Sequence, residues 1–287
     1  MIKTEFGERK GEEFSCLLDV YKPKTDTEDL LPGILFVHGG GFYQGGREHV
    51  VEQVQYYAKR GWFVVSIEYR LVGQAPYIPK DIRSALIKCV ANRESLSGEK
   101  LEFKQKQYGA AFAAARDTKN ALRYFRANAK KYGCDPDNIA IYGESAGAVL
   151  ALDVGLALPE DYAIPEDSND FKLETHKGTS EKMKAIVAFN GAPILIEALS
   201  EFDGKNRYAK KAPPTLVIVG KRDKDLEFNL CEKVKKLEEN KKNKLKFIAQ
   251  DTDKHCNWGY KHDGKDVFEI ALEFLVEQQE LELRKCK

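Results

Sequence analysis

The chain has 287 residues, of which 43% are hydrophobic and 32% charged, and its net charge is +1. This balance is typical of a globular protein with a large core, and it predicts neither a nucleic-acid binder nor a basic membrane-surface protein. The sequence contains no apolar run near the ~18 residues that cross a bilayer, so we expect no membrane span. Residues Met1 to Glu5 lack an apolar signal core, which favours the cytoplasm, although a trimmed secreted chain would look the same.

Six cysteines are scattered along the chain, and none forms a Cys-x-x-Cys pair. Scattered thiols in a chain of this length are typical of a reducing compartment, and their spacing argues against a zinc ribbon or a thioredoxin-type redox site. The five histidines show no His-Glu-x-x-His spacing. We therefore expect neither a metal nor a cofactor.

Residues 12–22 alternate loosely between apolar and polar, and they predict early antiparallel strands over Phe14 to Tyr21. Gly33 to Val37 is a continuous apolar run, typical of a strand buried on both faces. It ends in His38-Gly39-Gly40-Gly41-Phe42, and three consecutive glycines are entropically unfavourable to order. Either this is a flexible loop, or its backbone approaches a substrate and directs N–H groups at a developing negative charge.

The next elements predict a parallel crossover. Residues 49–60 have helical spacing and Trp62 to Ile67 is another buried strand, which together imply a right-handed connection. Residues 72–115 are less regular, although 81–92 have a helical pattern. This segment is either an insertion over a site or a surface excursion without a role. A helix with one apolar face follows over Arg116 to Tyr132.

A short apolar run, Asn138 to Tyr142, precedes Gly143-Glu144-Ser145-Ala146-Gly147, and helix formers continue to Leu158. Strand, turn and helix with this spacing are typical of the Gly-x-Ser-x-Gly nucleophile elbow. The elbow holds its serine in a strained conformation, and side chains at the two flanking positions would collide, so both need glycine. The motif alone also fits an ordinary strand–helix turn.

The alternation of strands and helices continues after the elbow. Further strands are predicted at Lys184 to Phe189, Pro214 to Val219 and Leu245 to Ala249, and further helices at Glu227 to Asn240 and Lys265 to Leu283. This order predicts an α/β fold with a mostly parallel sheet and helices on both faces. We expect a single domain over 1–287, with 72–115 and 159–182 as cap or insertion segments.

Four strand ends carry reactive groups, namely the triple glycine, Ser145, Asp223 and His255, and such groups gather beyond the carboxyl ends of parallel strands. The sequence resembles α/β-hydrolases of the carboxylesterase and lipase group, above all the subgroup with a His-Gly-Gly-Gly loop, which includes hormone-sensitive-lipase-like esterases. The matching motifs are His38 to Phe42, Ser66 to Leu71, Asp135 to Ile139, Gly143 to Gly147, and Gly220 to Asp223 with a histidine downstream. Segment 72–115 is longer than the corresponding connection usual in this family. The N-terminal segment is too short for the helical cap of the hormone-sensitive-lipase-like enzymes.

The resemblance implies acyl transfer through a covalent intermediate. It implies Ser145 as nucleophile, His255 as base and Asp223 as the acid that orients the base. His262 and Asp225 are the alternatives for the base and the acid. The resemblance also implies an oxyanion hole, formed by the N–H groups of Gly40, Gly41 and Ala146.

Four further residues are candidates for the substrate pocket, although ordinary packing explains them equally well: Phe42, Tyr43, Glu144 and Trp258. The implied function is a serine hydrolase of small or short-chain esters, with a small-molecule ester as its binding partner. The alternatives are a carbohydrate acetyl or feruloyl esterase, an amide-cleaving relative such as an arylformamidase or peptidase, and a non-catalytic binding module. The sequence does not indicate an oligomeric state.

Overall fold

The structure is a computed structural model that describes residues 2–5, 17–74, 97–163 and 176–282. The helical pattern predicted over 81–92 lies outside these residues. Of the predicted cap or insertion segments, 72–115 and 159–182, the described parts are 72–74 with 97–115, and 159–163 with 176–182.

Eight strands of the described chain form one sheet, in the order β1-β2-β4-β3-β5-β6-β7-β8. They are β1 (Ile2–Glu5), β2 (Leu17–Tyr21), β3 (Leu31–Val37), β4 (Phe63–Ile67), β5 (Cys134–Glu144), β6 (Ile186–Phe189), β7 (Thr215–Gly220) and β8 (Leu245–Gln250). β1 and β2 are antiparallel at one edge, whereas β4, β3 and β5 to β8 pair in parallel. The prediction of a mostly parallel sheet is confirmed.

Helices cover both faces of this sheet. They are α1 (Val51–Ala58), α2 (Gly98–Tyr132), α3 (Ala146–Leu156), α4 (Ile194–Asp203), α5 (Phe228–Glu232) and α6 (Val267–Gln278), with 3-10 helices at Arg47–Val50 and Lys233–Glu239. Because strand side chains alternate between faces, Leu35 packs in a core shared with α2, α3 and α4, while Phe36 packs in a second core shared with α1 and α6. None of the described helices is both long and apolar enough to cross a membrane.

Two helices differ from prediction. α2 begins at Gly98 instead of Arg116, and its first turns are charged without an apolar stripe because they border the cleft described below. α4 was not predicted, since Pro193 interrupts the apolar run there. Pro193 in fact precedes the first turn of α4, where proline's missing N–H would be unsatisfied in any case.

The segment predicted as one helix over Glu227 to Asn240 is also different. It consists of the short α5 followed by the 3-10 helix Lys233–Glu239. Its inward residues Cys231, Val234 and Leu237 are spaced by three, which suits a 3-10 helix as well as an α-helix.

Candidate active site

Ser145 occupies the turn between β5 and α3, at the carboxyl end of a central strand of the sheet. Its φ is 51°, in the left-handed region that non-glycine residues rarely adopt. A Cβ added at Gly143 would overlap the carbonyl oxygen of Gly147, and one added at Gly147 would overlap that of Val37. The two glycines therefore allow α3 to start directly against β3 and β5, which is the steric requirement expected of a nucleophile elbow.

The structure brings Ser145, His255 and Asp223 together. The His255 Nε2 atom lies 2.7 Å from the Ser145 Oγ atom, and its Nδ1 atom lies 2.7 Å from Asp223 Oδ2. The Asp223 side chain is 1% exposed and that of His255 22% exposed. A hydroxyl, an imidazole and a buried carboxylate linked in this order can activate the hydroxyl as a nucleophile.

The two alternatives occupy different places. His262 is exposed and lies in a turn, where its Nε2 atom is 3.7 Å from Asp263. Asp225 is exposed, and its backbone N–H donates to the Oδ1 atom of Asp223 at 2.9 Å. The geometry therefore favours His255 and Asp223 over these alternatives.

Asp223 is oriented by a residue that the sequence analysis missed. The Nδ2 group of Asn190 donates to Asp223 Oδ2, the oxygen that also faces His255. Asn190 follows β6, is 1% exposed and has a φ of 54°. Its position at a strand end beside β5 was the signal that could have identified it.

The described residues contain one group that could chelate a cation, formed by Asp223, Asp225 and His255. Their ligand atoms lie within 4.8 Å of one another. Both imidazole nitrogens, however, already face Ser145 and Asp223 at hydrogen-bond distance. Hydrogen bonding within the serine site thus accounts for this cluster.

The glycine loop after β3 lies beside the serine. A Cβ built on Gly39 would be 3.1 Å from the Cβ of Ser145. Gly40 and Gly41 have φ values of 117° and 60°, which only glycine adopts easily. Within the described chain, the N–H groups of Gly40, Gly41 and Ala146 donate to no protein acceptor, so they are available to stabilise an oxyanion.

The buried side chain of His38 supports the glycine loop. Its side chain is fully buried, its Nδ1–H donates to the Gly39 carbonyl at 2.6 Å, and its ring stacks on Tyr69 with centroids 4.1 Å apart. Burial lowers the pKa of His38 to about 4, so the ring is neutral at neutral pH. The Tyr69 hydroxyl donates to the His38 carbonyl at 2.9 Å, which extends the support into the core.

A cleft of about 950 Å³ opens above Ser145. Three of the predicted pocket residues line it, namely Phe42, Tyr43 and Glu144. One wall comes from the first turns of α2, within segment 72–115, for which an insertion over a site was one of the two predicted alternatives. The residues of this wall are Phe103, Lys104, Gln107, Tyr108 and Ala111.

Trp258 does not line this cleft, so its prediction as a pocket residue was wrong. Its ring stacks on Phe268 with centroids 4.5 Å apart and on Tyr142 at 6.1 Å, in the core on the α6 side of the sheet. The chain reverses after Cys256, which has a φ of 49°. This turn separates Trp258 from His255 although the two are close in sequence.

Trp258 reaches the site indirectly, through Glu144. Burial raises the pKa of the Glu144 carboxyl above its usual value, and interactions with the Gly39 N–H and the Trp258 indole oppose this rise. Glu144 thus lies beside both Trp258 and the first glycine of the loop.

Comparison with known proteins gives the following relatives. The model of a family described as BD-FAE matches residues 18–101 and 97–210. Gut esterase 1 of Caenorhabditis briggsae is 35% identical over 150 residues, which are 51% of this chain and 22% of that protein. Esterase LipC of Mycobacterium tuberculosis is 25% identical over 238 residues, 74% of this chain and 49% of that protein. The chain therefore spans at most about half the length of these two curated relatives.

Solved structures share the fold over nearly the whole chain. Esterase Est2 of Thermogutta terrifontis with propionate bound has a TM-score of 0.65 at 22% identity, and the match covers 99% of this chain and 96% of that one. The same esterase phosphorylated by paraoxon has a TM-score of 0.63 at 21% identity, with 96% and 93% covered.

Proposed function

The chain belongs to the BD-FAE family and has the α/β-hydrolase fold, and we propose that it is a serine hydrolase of carboxylic esters. The observation that carries this proposal is the hydrogen-bonded series Ser145, His255 and Asp223, with 2.7 Å between neighbouring atoms on both sides of the imidazole. Several of its curated relatives are named as esterases.

In the proposed first step, Ser145 attacks the ester carbonyl carbon. His255 Nε2 takes the hydroxyl proton, and the C–O bond to the alcohol breaks after the tetrahedral intermediate forms. The imidazolium returns its proton to the leaving alkoxide, so the alcohol departs neutral. Asp223 stabilises the imidazolium and holds its Nδ1–H in place.

The carbonyl oxygen becomes negative in the intermediate. We assign its stabilisation to the N–H groups of Gly40, Gly41 and Ala146, because they flank Ser145 and have no protein acceptor in the described chain. Loss of one such donor typically reduces kcat by roughly 10²- to 10³-fold. Water then attacks the acyl-enzyme with His255 as base, and the acid and free serine are released.

We propose small or short-chain esters as substrates. Structures of the Thermogutta esterase are described as propionate-bound and butyrate-bound, and the fold of that enzyme covers this chain. The cleft also exposes two aromatic rings, Tyr43 at 48% and Phe103 at 43%, in edge contact with centroids 5.6 Å apart. These rings favour a second candidate, a feruloyl or sugar ester whose alcohol or acyl group stacks on them.

The test is hydrolysis of p-nitrophenyl esters from acetate to long chains, together with methyl ferulate. The parent, Ser145→Ala and the matched control Ser200→Ala are compared. Ser200 lies on α4, and its hydroxyl has no hydrogen-bond partner among the described residues. We expect hydrolysis that depends on Ser145 alone and declines with acyl chain length.

A second measurement identifies the nucleophile directly. A paraoxon-type organophosphate should modify the Ser145 peptide with one phosphoryl group, and Ser145→Ala should stay unmodified. Modification of another serine, or full activity in Ser145→Ala, would contradict the proposal. A folded parent without esterase activity would instead favour an amide substrate or a non-catalytic module.

A further inference from the structure

One side chain of α2 makes direct contact with the glycine loop. The Gln107 Nε2 group donates to the Gly41 carbonyl oxygen at 2.6 Å. Gln107 is half-buried and lines the cleft beside Ser145. The hydrogen bond therefore joins the substrate wall to the proposed oxyanion loop.

A planar trans peptide explains why such a bond matters. The C=O of one residue and the N–H of the next point in opposite directions, so holding a carbonyl also directs the following N–H. The Gly39 carbonyl is held by His38 and Tyr69, which directs the N–H of Gly40. The Gly40 carbonyl accepts from the N–H groups of Tyr43 and Gln44, at 3.2 and 3.1 Å, which directs the N–H of Gly41.

The Gly41 carbonyl belongs to the next peptide, between Gly41 and Phe42, at the end that the loop turns toward α2. Among the described residues, Gln107 is its hydrogen-bond donor. Gly41 has a φ of 60° and no side chain. Without a restraint, the backbone at this position could therefore rotate more freely than it could with any other amino acid there. Such rotation would disturb the turn that orients the Gly41 N–H.

We propose that Gln107 is a positioning residue that holds the oxyanion loop in its catalytic conformation. This inference rests on the proposed function. Gln107 bonds to the Gly41 carbonyl and not to Ser145. It acts by restraining Gly41, so it should influence the transition state, where the oxyanion forms, more than substrate binding.

Two substitutions distinguish this positioning role from a role in which Gln107 only forms part of the cleft wall. Gln107→Met keeps the length of the side chain and removes the donor. Gln107→Glu keeps its shape but places an acceptor against the Gly41 carbonyl. We expect kcat to fall about 10-fold in the Met variant and further in the Glu variant, with KM changed by less than about 2-fold, as for an interaction made in the transition state.

Gln105→Met is the matched control, because Gln105 lies on the same helix but does not line the cleft. Its kcat should equal that of the parent. Affinity for an aryl trifluoromethyl ketone, which forms a tetrahedral adduct with the serine, should fall in parallel with kcat/KM in the Gln107 variants. Binding of the product acid should not change.

The outcomes distinguish the two proposals. If the parent hydrolyses esters through Ser145 but both Gln107 variants keep parental kcat, the positioning role is refuted and the proposed function stands. The positioning role would also be refuted if the Glu variant had the kcat of the parent while the Met variant had a low kcat. The shape of the side chain alone would then explain the loss. If the folded parent shows no Ser145-dependent hydrolysis, both proposals fail.

Discussion

The neutral, buried imidazole of His38 should make the stability of this protein depend on pH. Burial lowers its pKa from 6.5 to about 4, while in the unfolded chain it has its ordinary value. Between those two pH values the unfolded state binds a proton that the native state does not bind. The free energy of unfolding therefore falls as the pH falls from 6.5 to 4, and His38 adds no further change outside that window.

The size of this effect follows from the pKa difference. A pKa lowered from 6.5 to about 4, at about 1.4 kcal/mol for each pH unit, amounts to about 3–4 kcal/mol over the full window. About 2 kcal/mol of this would be lost by pH 5, where the native protein is easier to study. That is a large share of the ~5–15 kcal/mol that stabilises a typical domain.

His38→Asn tests this reasoning, because asparagine keeps an N–H donor for the Gly39 carbonyl and does not titrate. Urea unfolding at pH 7, 6 and 5 would be compared for the parent and the variant. We expect the variant to lose about 2 kcal/mol less than the parent between pH 7 and 5. His262→Asn at the exposed turn is the control, and its curve should follow that of the parent. Parallel curves for His38→Asn and the parent would refute the assignment of a buried neutral imidazole.

Three other predictions test the site and the packing around it. Gly147→Ala should abolish ester hydrolysis and lower the urea midpoint, because the new methyl group would overlap a β3 carbonyl; a fully active variant would contradict the elbow geometry. Asp117→Ala should lower the free energy of unfolding by about 3–5 kcal/mol, because it removes the carboxylate that lies 2.8 Å from the fully buried Arg70; a change below about 1 kcal/mol would show that this pair contributes little. His255→Ala should lower kcat by roughly 10⁴-fold or more and His262→Ala by less than about 2-fold, and the reverse result in steady-state assays would exchange their roles.

The sheet was predictable because each central strand has a local signature. β3 and β7 contain unbroken apolar runs over 34–37 and 216–219, and β4 is apolar apart from Ser66, which is the pattern of strands buried on both faces. The first turns of α2 have no comparable signature. Their charged residues border solvent and the cleft, and the buried part of the helix begins only at Tyr108.

In the serine site, too, some residues were predictable from the sequence and others were not. Ser145, Asp223 and His255 were predictable because each follows a strand, and parallel strands bring their ends to one edge. Gln107 was not, because it acts through one side-chain contact between elements distant in sequence. No local pattern records such a contact.

The structure separates the parts that would perform the chemistry from those that would select the substrate. The loop is held by groups buried in the core, such as His38 and Tyr69, so a change there should disturb the reaction itself. The exposed rings of Tyr43 and Phe103 contact each other at the cleft surface. Substitutions at these two rings should therefore change which esters react while leaving the oxyanion loop in place. Gln107 lies between the two regions, since it lines the wall and holds the loop, and through it the shape of the wall and the rate of the reaction would be linked.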